Sequence, residues 1–295
     1  MRLFPCWHSY TGAVKPALAC LSEPFCIIAR MNIQSATSTL PASPNNRLQV
    51  LAAFDTLLQP QIYKDYGPNG LQVEGRESIT KIVSGVTASL ALIDAAIDSQ
   101  ADAIFVHHGL FWRGQSGCVT GWMKQRLARL LAHDINLFAY HLPLDAHAEF
   151  GNNAQLGKHL GLRVESHFGE QNLGFLGSRA DGGAFANAEM LKKHLFQVLN
   201  RPITLIDPAR AAIKKIAWCT GGAQSYFEAA IAAGADAFIT GEISEPQAHY
   251  AREMGVAYFA CGHHATERYG APAVASHVAA QLGIAHEFID IDNPA

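Results

Sequence analysis

An internal repeat constrains this chain more than any other feature. Lys81-Ile82 recurs as Lys215-Ile216, Ala95-Ala96-Ile97 as Ala229-Ala230-Ile231, and Ala101-Asp102-Ala103 as Ala235-Asp236-Ala237, all at one constant offset. Each copy has an apolar run (Ile82–Val86; Ile216–Cys219), an Ala-rich helical stretch and a second apolar run (Ala103–Val106; Ala237–Ile239). Short apolar runs flanking an amphipathic segment predict buried strands around a helix. Two such β-α-β units require parallel strands joined by right-handed crossovers. The expected fold is therefore α/β, with two pseudo-repeated β-α-β lobes and mostly parallel strands. A third apolar run closes each half: Leu137–Tyr140 and Ala257–Cys261.

The expected boundaries follow from this pattern. Residues 46–165 form lobe 1 and residues 166–295 lobe 2. A less regular stretch, roughly 165–210, lies between the units; it holds Gly-rich turns (Gly169, Gly174, Gly177, Gly182, Gly183) and then an amphipathic helix predicted over about 187–200, with Leu191, Leu195, Val198 and Leu199 on one face. Residues 1–45 differ in composition, holding three of the six cysteines and a Ser/Thr-rich stretch. They are expected to be a disordered extension, with Met31 as an alternative start that would leave residues 1–30 untranslated.

Polar residues follow three of the apolar runs. They are His107 and His108 in Val-His-His-Gly, Asp145 in Tyr-His-Leu-Pro-Leu-Asp-Ala-His, and His263 and Glu267 in Gly-His-His-Ala-Thr-Glu-Arg. Open α/β sheets gather ligands beyond the carboxyl ends of their strands. Imidazole and carboxylate bind borderline divalent metals. Each motif also has a plain structural reading. Adjacent strand residues face opposite ways, so both histidines serve one site only if the strand stops before Gly109; otherwise one is buried and the other exposed. Asp145 is a common type of turn residue. His263 and Glu267 are one helical turn apart, yet spacing equally allows His264 with Glu267 or Arg268. Three polar clusters at three successive strand ends nevertheless ask for a common centre. Five candidate ligands exceed one catalytic zinc and suffice for two ions sharing a carboxylate.

Other motifs have structural readings. Gly-Gly-Ala-Gln-Ser (221–225) lacks the length and Lys of a phosphate-binding loop and reads as a tight turn. Asp-Tyr-Gly-Pro-Asn-Gly (65–70) is a turn into a short strand. Gly-Asn-Asn (151–153) reads as a helix cap. The net charge of −3 and the absence of any Lys/Arg run make nucleic acid an unexpected partner. No apolar stretch is long enough for a membrane span. The cysteines form no Cys-x-x-Cys pair, which argues against a thiolate zinc site and for a cytoplasmic protein.

Together these segments resemble the Nif-3-like family of dinuclear metal-centre hexameric proteins, whose members are often labelled GTP cyclohydrolase 1 type 2 homologues. The resemblance runs from about Asn46 to Ala295 and includes the terminal Phe288-Ile289-Asp290-Ile291 and Asn293-Pro294-Ala295. It implies metal ligands at His107, His108, Asp145, His263 and Glu267, choosing His263 over His264. It also implies two α/β lobes with the metals between them, and a ring-like homohexamer. Residues 1–45 have no counterpart in it.

Three neutral imidazoles and two carboxylates leave two divalent ions with surplus positive charge, which favours an anionic substrate. Such ions lower the pKa of water toward about 7. The expected activity is metal-dependent hydrolysis of a nucleotide-like or phosphorylated compound, with zinc, iron or manganese equally compatible with the ligands. Glu267 is the expected bridge, and His141, His264 and Glu242 are candidate proton carriers, with His147 a further partner for the site. Arg268 or Lys124 would hold phosphate. The alternative is a metal chaperone or regulatory scaffold with the same ligands and no turnover.

Overall fold

The computed structural model describes residues 45–209 and 212–295. The expected extension, except Asn45, lies outside them. Strand β1 (Asn45–Asn46) leads into helix α1 (Arg47–Leu58), where Asn46 and Gln49 form a reciprocal capping box. The chain continues through β2 (Gly70–Val73), β3 (Ser78–Ile79), β4 (Lys81–Thr87), α2 (Leu90–Asp98), β5 (Ala103–His108), α3 (Gly121–Ala132) and β6 (Asn136–Ala139). Short helix α4 (Leu142–Ala146) and α5 (Asn152–His159) follow. Next come β7 (Leu162–Phe168), β8 (Gly174–Arg179), α6 (Ala188–Leu199), β9 (Thr204–Ile206), β10 (Ile216–Trp218), α7 (Phe227–Ala232), β11 (Ala237–Thr240), α8 (Glu245–Met254) and β12 (Ala257–Ala260). The last elements are α9 (His263–Glu267), α10 (Gly270–Leu282) and β13 (Ala285–Phe288).

Two large sheets organise these elements, and β1 pairs antiparallel with β3 in a small third one. The first has the order β13-β4-β5-β6-β2, parallel except for β2 at its edge. The second has the order β7-β8-β10-β11-β12-β9, with β10, β11 and β12 parallel and the outer strands antiparallel. Parallel pairing thus dominates the first sheet and is confined to the centre of the second. The sequence repeat coincides with the shared centre: Ile82 pairs with Ala103 as Ile216 pairs with Ala237.

The repeated residues have a physical job. Asp102 Oδ2 accepts from Thr80 N (2.8 Å) and Lys81 N (3.1 Å), fastening the start of β4 to that of β5. Asp236 Oδ2 accepts from Lys214 N (2.8 Å) and Lys215 N (2.9 Å) in the same way. Lys81 Nζ donates to Ser99 O and Lys215 Nζ to Ala233 O, so both lysines tie their strand to the end of the crossover helix.

The central strands of each large sheet are buried on both faces, which explains their continuous apolar runs. In the first sheet Phe54, Phe105, Phe138 and Val274 form one layer, while Val83, Leu92, Ile104 and Leu130 form the other. In the second, Leu191, Leu195, Trp218 and Phe259 cover one face, and Phe227, Phe238 and Tyr258 the other. The chain does not divide by one cut at residue 165. Helix α10 packs with Phe54 and Phe105, and β13 pairs with β4, so residues 270–288 return to the first sheet. Their apolar spacing specifies an amphipathic helix and a strand but not which sheet they join.

Candidate metal centre

The carboxyl ends of β5 and β12 meet across the two sheets. Strand β5 continues through both histidines, with His108 paired to Thr87. The chain therefore does not stop before them, yet both rings reach one place, their centroids 4.4 Å apart. They approach from opposite sides. His107 Nδ1 is 3.1 Å from Tyr140 O, just past β6, and His108 Nδ1 is 3.0 Å from Thr87 Oγ1 at the end of β4. These anchors direct both Nε2 atoms toward Glu267: His107 Nε2 to Oε1 at 3.4 Å and His108 Nε2 to Oε2 at 3.2 Å.

Glu267 comes from α9, one turn after His263, whose Nε2 is 3.1 Å from Oε2. Asp145, on α4, lies 3.5 Å from His107 Nε2. The candidate ligand atoms form three overlapping groups, within each of which they lie within 4.8 Å of one another. These are His107 with His108 and His141; His108 with His263 and Glu267; and His107 with Asp145 and Glu267. Glu267 is shared by two groups and offers one oxygen to each side.

The surroundings orient these side chains. His263 Nδ1 meets Glu242 Oε1 at 2.6 Å, and His141 Nδ1 meets Asp65 Oδ1 at 2.7 Å. A carboxylate behind a histidine fixes its tautomer and presents Nε2 forward. Asp145 Oδ1 accepts from Asn152 Nδ2 (2.9 Å) and Thr220 Oγ1 (3.2 Å). Gly221 has φ +68, and a Cβ there would collide with Glu267 Oε1. Only Gly combines that conformation with the close approach of the carboxylate.

Burial opposes an imidazolium at His107, but Asp145 and Glu267 outweigh it and raise its pKa to about 9. At His263 burial is likewise overcome, by Glu267 and Glu242, to about 9. Burial prevails at His108 and holds it down at about 3. Burial pushes Asp145 up against the pull of His107, whereas at Glu267 the neighbouring imidazoles overcome burial and hold the carboxyl well below the usual range. Protons and carboxylates thus balance one another in a buried cluster, the role metal cations take over when they displace those protons. The residues fit metal on a second ground: His107 Nε2 and Glu267 Oε2 are buried and make no hydrogen bond. Buried polar atoms are rarely left so.

Not every expected participant comes here. His264 is adjacent to His263 but turned about 100° around the helix; its Nε2 pairs with Asp290 Oδ1 at 2.8 Å. His147 Nδ1 accepts from Glu149 N and Phe150 N and closes a local turn. Glu242 stands behind His263, as an orienting group. Arg268 donates to Leu199 O and lies over Tyr269, and Lys124 is exposed on α3; neither lines the cavity beside the cluster. His141 does line it.

Several contributors carried only a structural reading in the sequence. Asp65 and Asn69, at either side of Gly67-Pro68 in the 65–70 segment, hold His141 and its neighbour: Asn69 Oδ1 accepts from His141 N at 2.7 Å and Asp65 Oδ2 from Leu142 N at 2.8 Å. Gly151 begins α5 without a side-chain cap. Asn152 instead braces Asp145 and accepts from Gly270 N, while Asn153 Oδ1 accepts from Thr220 N. Two adjacent Asn residues after Gly were the available signal, since burying two amides demands specific partners.

The profile of the family Duf34/NIF3 (NGG1p interacting factor 3) matches residues 46–294. The chain belongs to the DUF34/NIF3 family. Among similar curated proteins is a "GTP cyclohydrolase 1 type 2 homolog" of Neisseria meningitidis serogroup A, 51% identical over 252 residues, covering 84% of this chain and 99% of that one. A protein of the same description from Pseudomonas aeruginosa is 50% identical over 244 residues, covering 82% and 95%. Among solved structures, the protein ybgI, described as of unknown function, superposes with a TM-score of 0.81 at 43% identity, covering 85% of this chain and all of the other. TTHA1606 from Thermus thermophilus gives 0.77 at 30% identity, covering 85% and 100%. The family's α/β architecture is thus present, and no helix among the described residues is long and apolar enough to cross a membrane.

Proposed function

We propose that this chain is a dinuclear metal-dependent hydrolase. The observation that carries the reading is Glu267, a buried carboxylate shared by two ligand groups, with one oxygen that satisfies no hydrogen bond. His107, His108, Asp145, His263 and Glu267 would hold two divalent ions. Zinc, iron and manganese all suit this set of nitrogen and oxygen donors. Such ions would supply Lewis-acid polarisation of the substrate and acidify water at neutral pH.

The chain's own residues supply the rest. His141 faces the cavity with Nδ1 held by Asp65, so its Nε2 is available to move a proton at the reacting centre or to add a further donor. Glu242 keeps the His263 ring in place. Asn152 and Thr220 fix the Asp145 carboxylate. The name carried by the relatives puts nucleotides on the first substrate panel, and the surplus positive charge of two ions adds other anionic small molecules. A homohexamer belongs to the same proposal, through the family resemblance, and light scattering of the purified protein tests it.

The test of hydrolysis is reconstitution. Metal-stripped protein should be inactive across the panel and regain turnover with one of the three metals. His141→Gln should lower kcat by about 10²-fold, the low end for loss of a general acid-base group, while retaining its metal. Full metal loading without turnover on any substrate would contradict the hydrolase reading and favour metal delivery or scaffolding.

A further inference from the structure

The cavity beside the ligand cluster has a volume of about 210 Å³. Sites that enclose a drug-sized ligand start near roughly 300 Å³, so this one lies below that range and suits a compact group better than a whole nucleoside triphosphate. Asp145, His263 and Glu267 border it on the metal side, and the rings of Tyr66 and Tyr226 line it as well. Among the described residues that line it there is no Lys or Arg, and its only formally charged side chain away from the cluster is Glu170. Arg113, anchored to the same loop as Tyr66, donates its guanidinium to Asp65 O.

The two tyrosine walls are tied together. Gln171 Oε1 accepts from Lys64 N at 2.8 Å, and Gln171 Nε2 donates to Lys64 O at 3.2 Å. This pairing joins the β7–β8 turn to the loop that carries Tyr66. Tyr226 donates its hydroxyl to Glu170 O at 3.1 Å, and its ring lies where a Cβ on Gly169 would intrude.

We propose that this cavity receives a compact substrate, with a flat uncharged body and one oxygen-donor group directed at the ligand cluster, and that polyphosphates are excluded. The inference rests on the metal-dependent reading above and narrows its substrate class. A triphosphate would carry several negative charges past Glu170 into a chamber whose lining offers no side-chain cation, and the surplus charge of two ions at the cluster would offset only part of them. A single carbonyl, carboxylate or hydroxamate group would place its donor where the ions are held, while the tyrosine rings take an aromatic or planar body.

The test compares benzohydroxamate with GTP on the full chain loaded with Co(II), whose visible absorption reports entry of a donor into its coordination. Cobalt stoichiometry is measured first. Benzohydroxamate should shift the spectrum saturably, with Kd raised about tenfold in Tyr66→Ala and in Tyr226→Ala, while GTP leaves the spectrum unchanged. Tyr66 is 57% exposed, so its replacement keeps the question answerable even if Tyr226→Ala fails to fold. Saturable GTP binding that displaces benzohydroxamate, or unchanged benzohydroxamate affinity in Tyr66→Ala, would overturn the assignment and leave the metal centre standing. Failure to bind cobalt at all would overturn both readings.

Discussion

Glu267 lies where the side chains of three elements converge, and single atoms there have measurable consequences. Gly221→Ala would force an L-residue into a left-handed conformation and press its methyl group on the Glu267 carboxylate. It should weaken metal binding at least tenfold by chelator competition and cost about 1–3 kcal/mol of stability. Metal affinity should also depend on pH. Without metal, His107 and His263 hold protons up to about pH 9, and these must leave before nitrogen can coordinate. Affinity should therefore climb as pH rises toward 9 and fall as it drops, with protons released into weakly buffered solution. Asp65 gives a second sign. Burial pushes its carboxyl up, but His141 outweighs burial and holds it at about 2. The stability it contributes is present above its ordinary value near 4 and is lost as pH falls through 2. Asp65→Asn should cost about 1–3 kcal/mol at pH 7, and the gap from wild type should close on acidification from pH 4 to 2 in urea titrations. That Asp65 serves a histidine 76 positions away could not be read from its own turn.

The elements show what the repeat encodes. Asp102 and Asp236 fasten equivalent strand starts, which is why Ala-Asp-Ala and Lys-Ile recur together. Asp102→Ala removes an acceptor for two backbone amides and the Thr80 hydroxyl. It should cost about 2–4 kcal/mol in chemical unfolding yet leave the metal content of the folded protein unchanged, since the clamp is at the opposite ends of the strands from the ligands. This contrast separates scaffold from site. The parallel centre of each sheet was legible because buried β-α-β strands leave short, uniformly apolar runs. The antiparallel outer strands were not: in β7 the interior residues Arg163 to His167 are exposed and carry no apolar alternation. The convergence of His107 and His108 also escaped a local rule, because imidazoles are long enough to reach around the end of a strand that keeps its alternation.

The two sheets are coupled through the site and through the returning C-terminal segment. The candidate ligands come from β5 and α4 beside the first sheet and from α9 after the second, while α10 and β13 complete the first. Metal should therefore stabilise the whole fold rather than one lobe. At a free-ion concentration about a hundredfold above Kd, linkage gives about 2.7 kcal/mol, and chelation should lower Tm by about 5–10 °C for a chain of this size. The strand ends and the convergence of the candidate ligands were legible in the sequence, but not the association of residues 270–288 with the first sheet, which is decided by long-range packing.

Elemental analysis of anaerobically purified wild type beside Glu267→Ala tests the central claim most directly. The account predicts about two divalent ions per wild-type chain, and loss of both in a variant that stays folded. Wild-type protein with no metal above background, or a Glu267→Ala variant that retains the full complement, would contradict it.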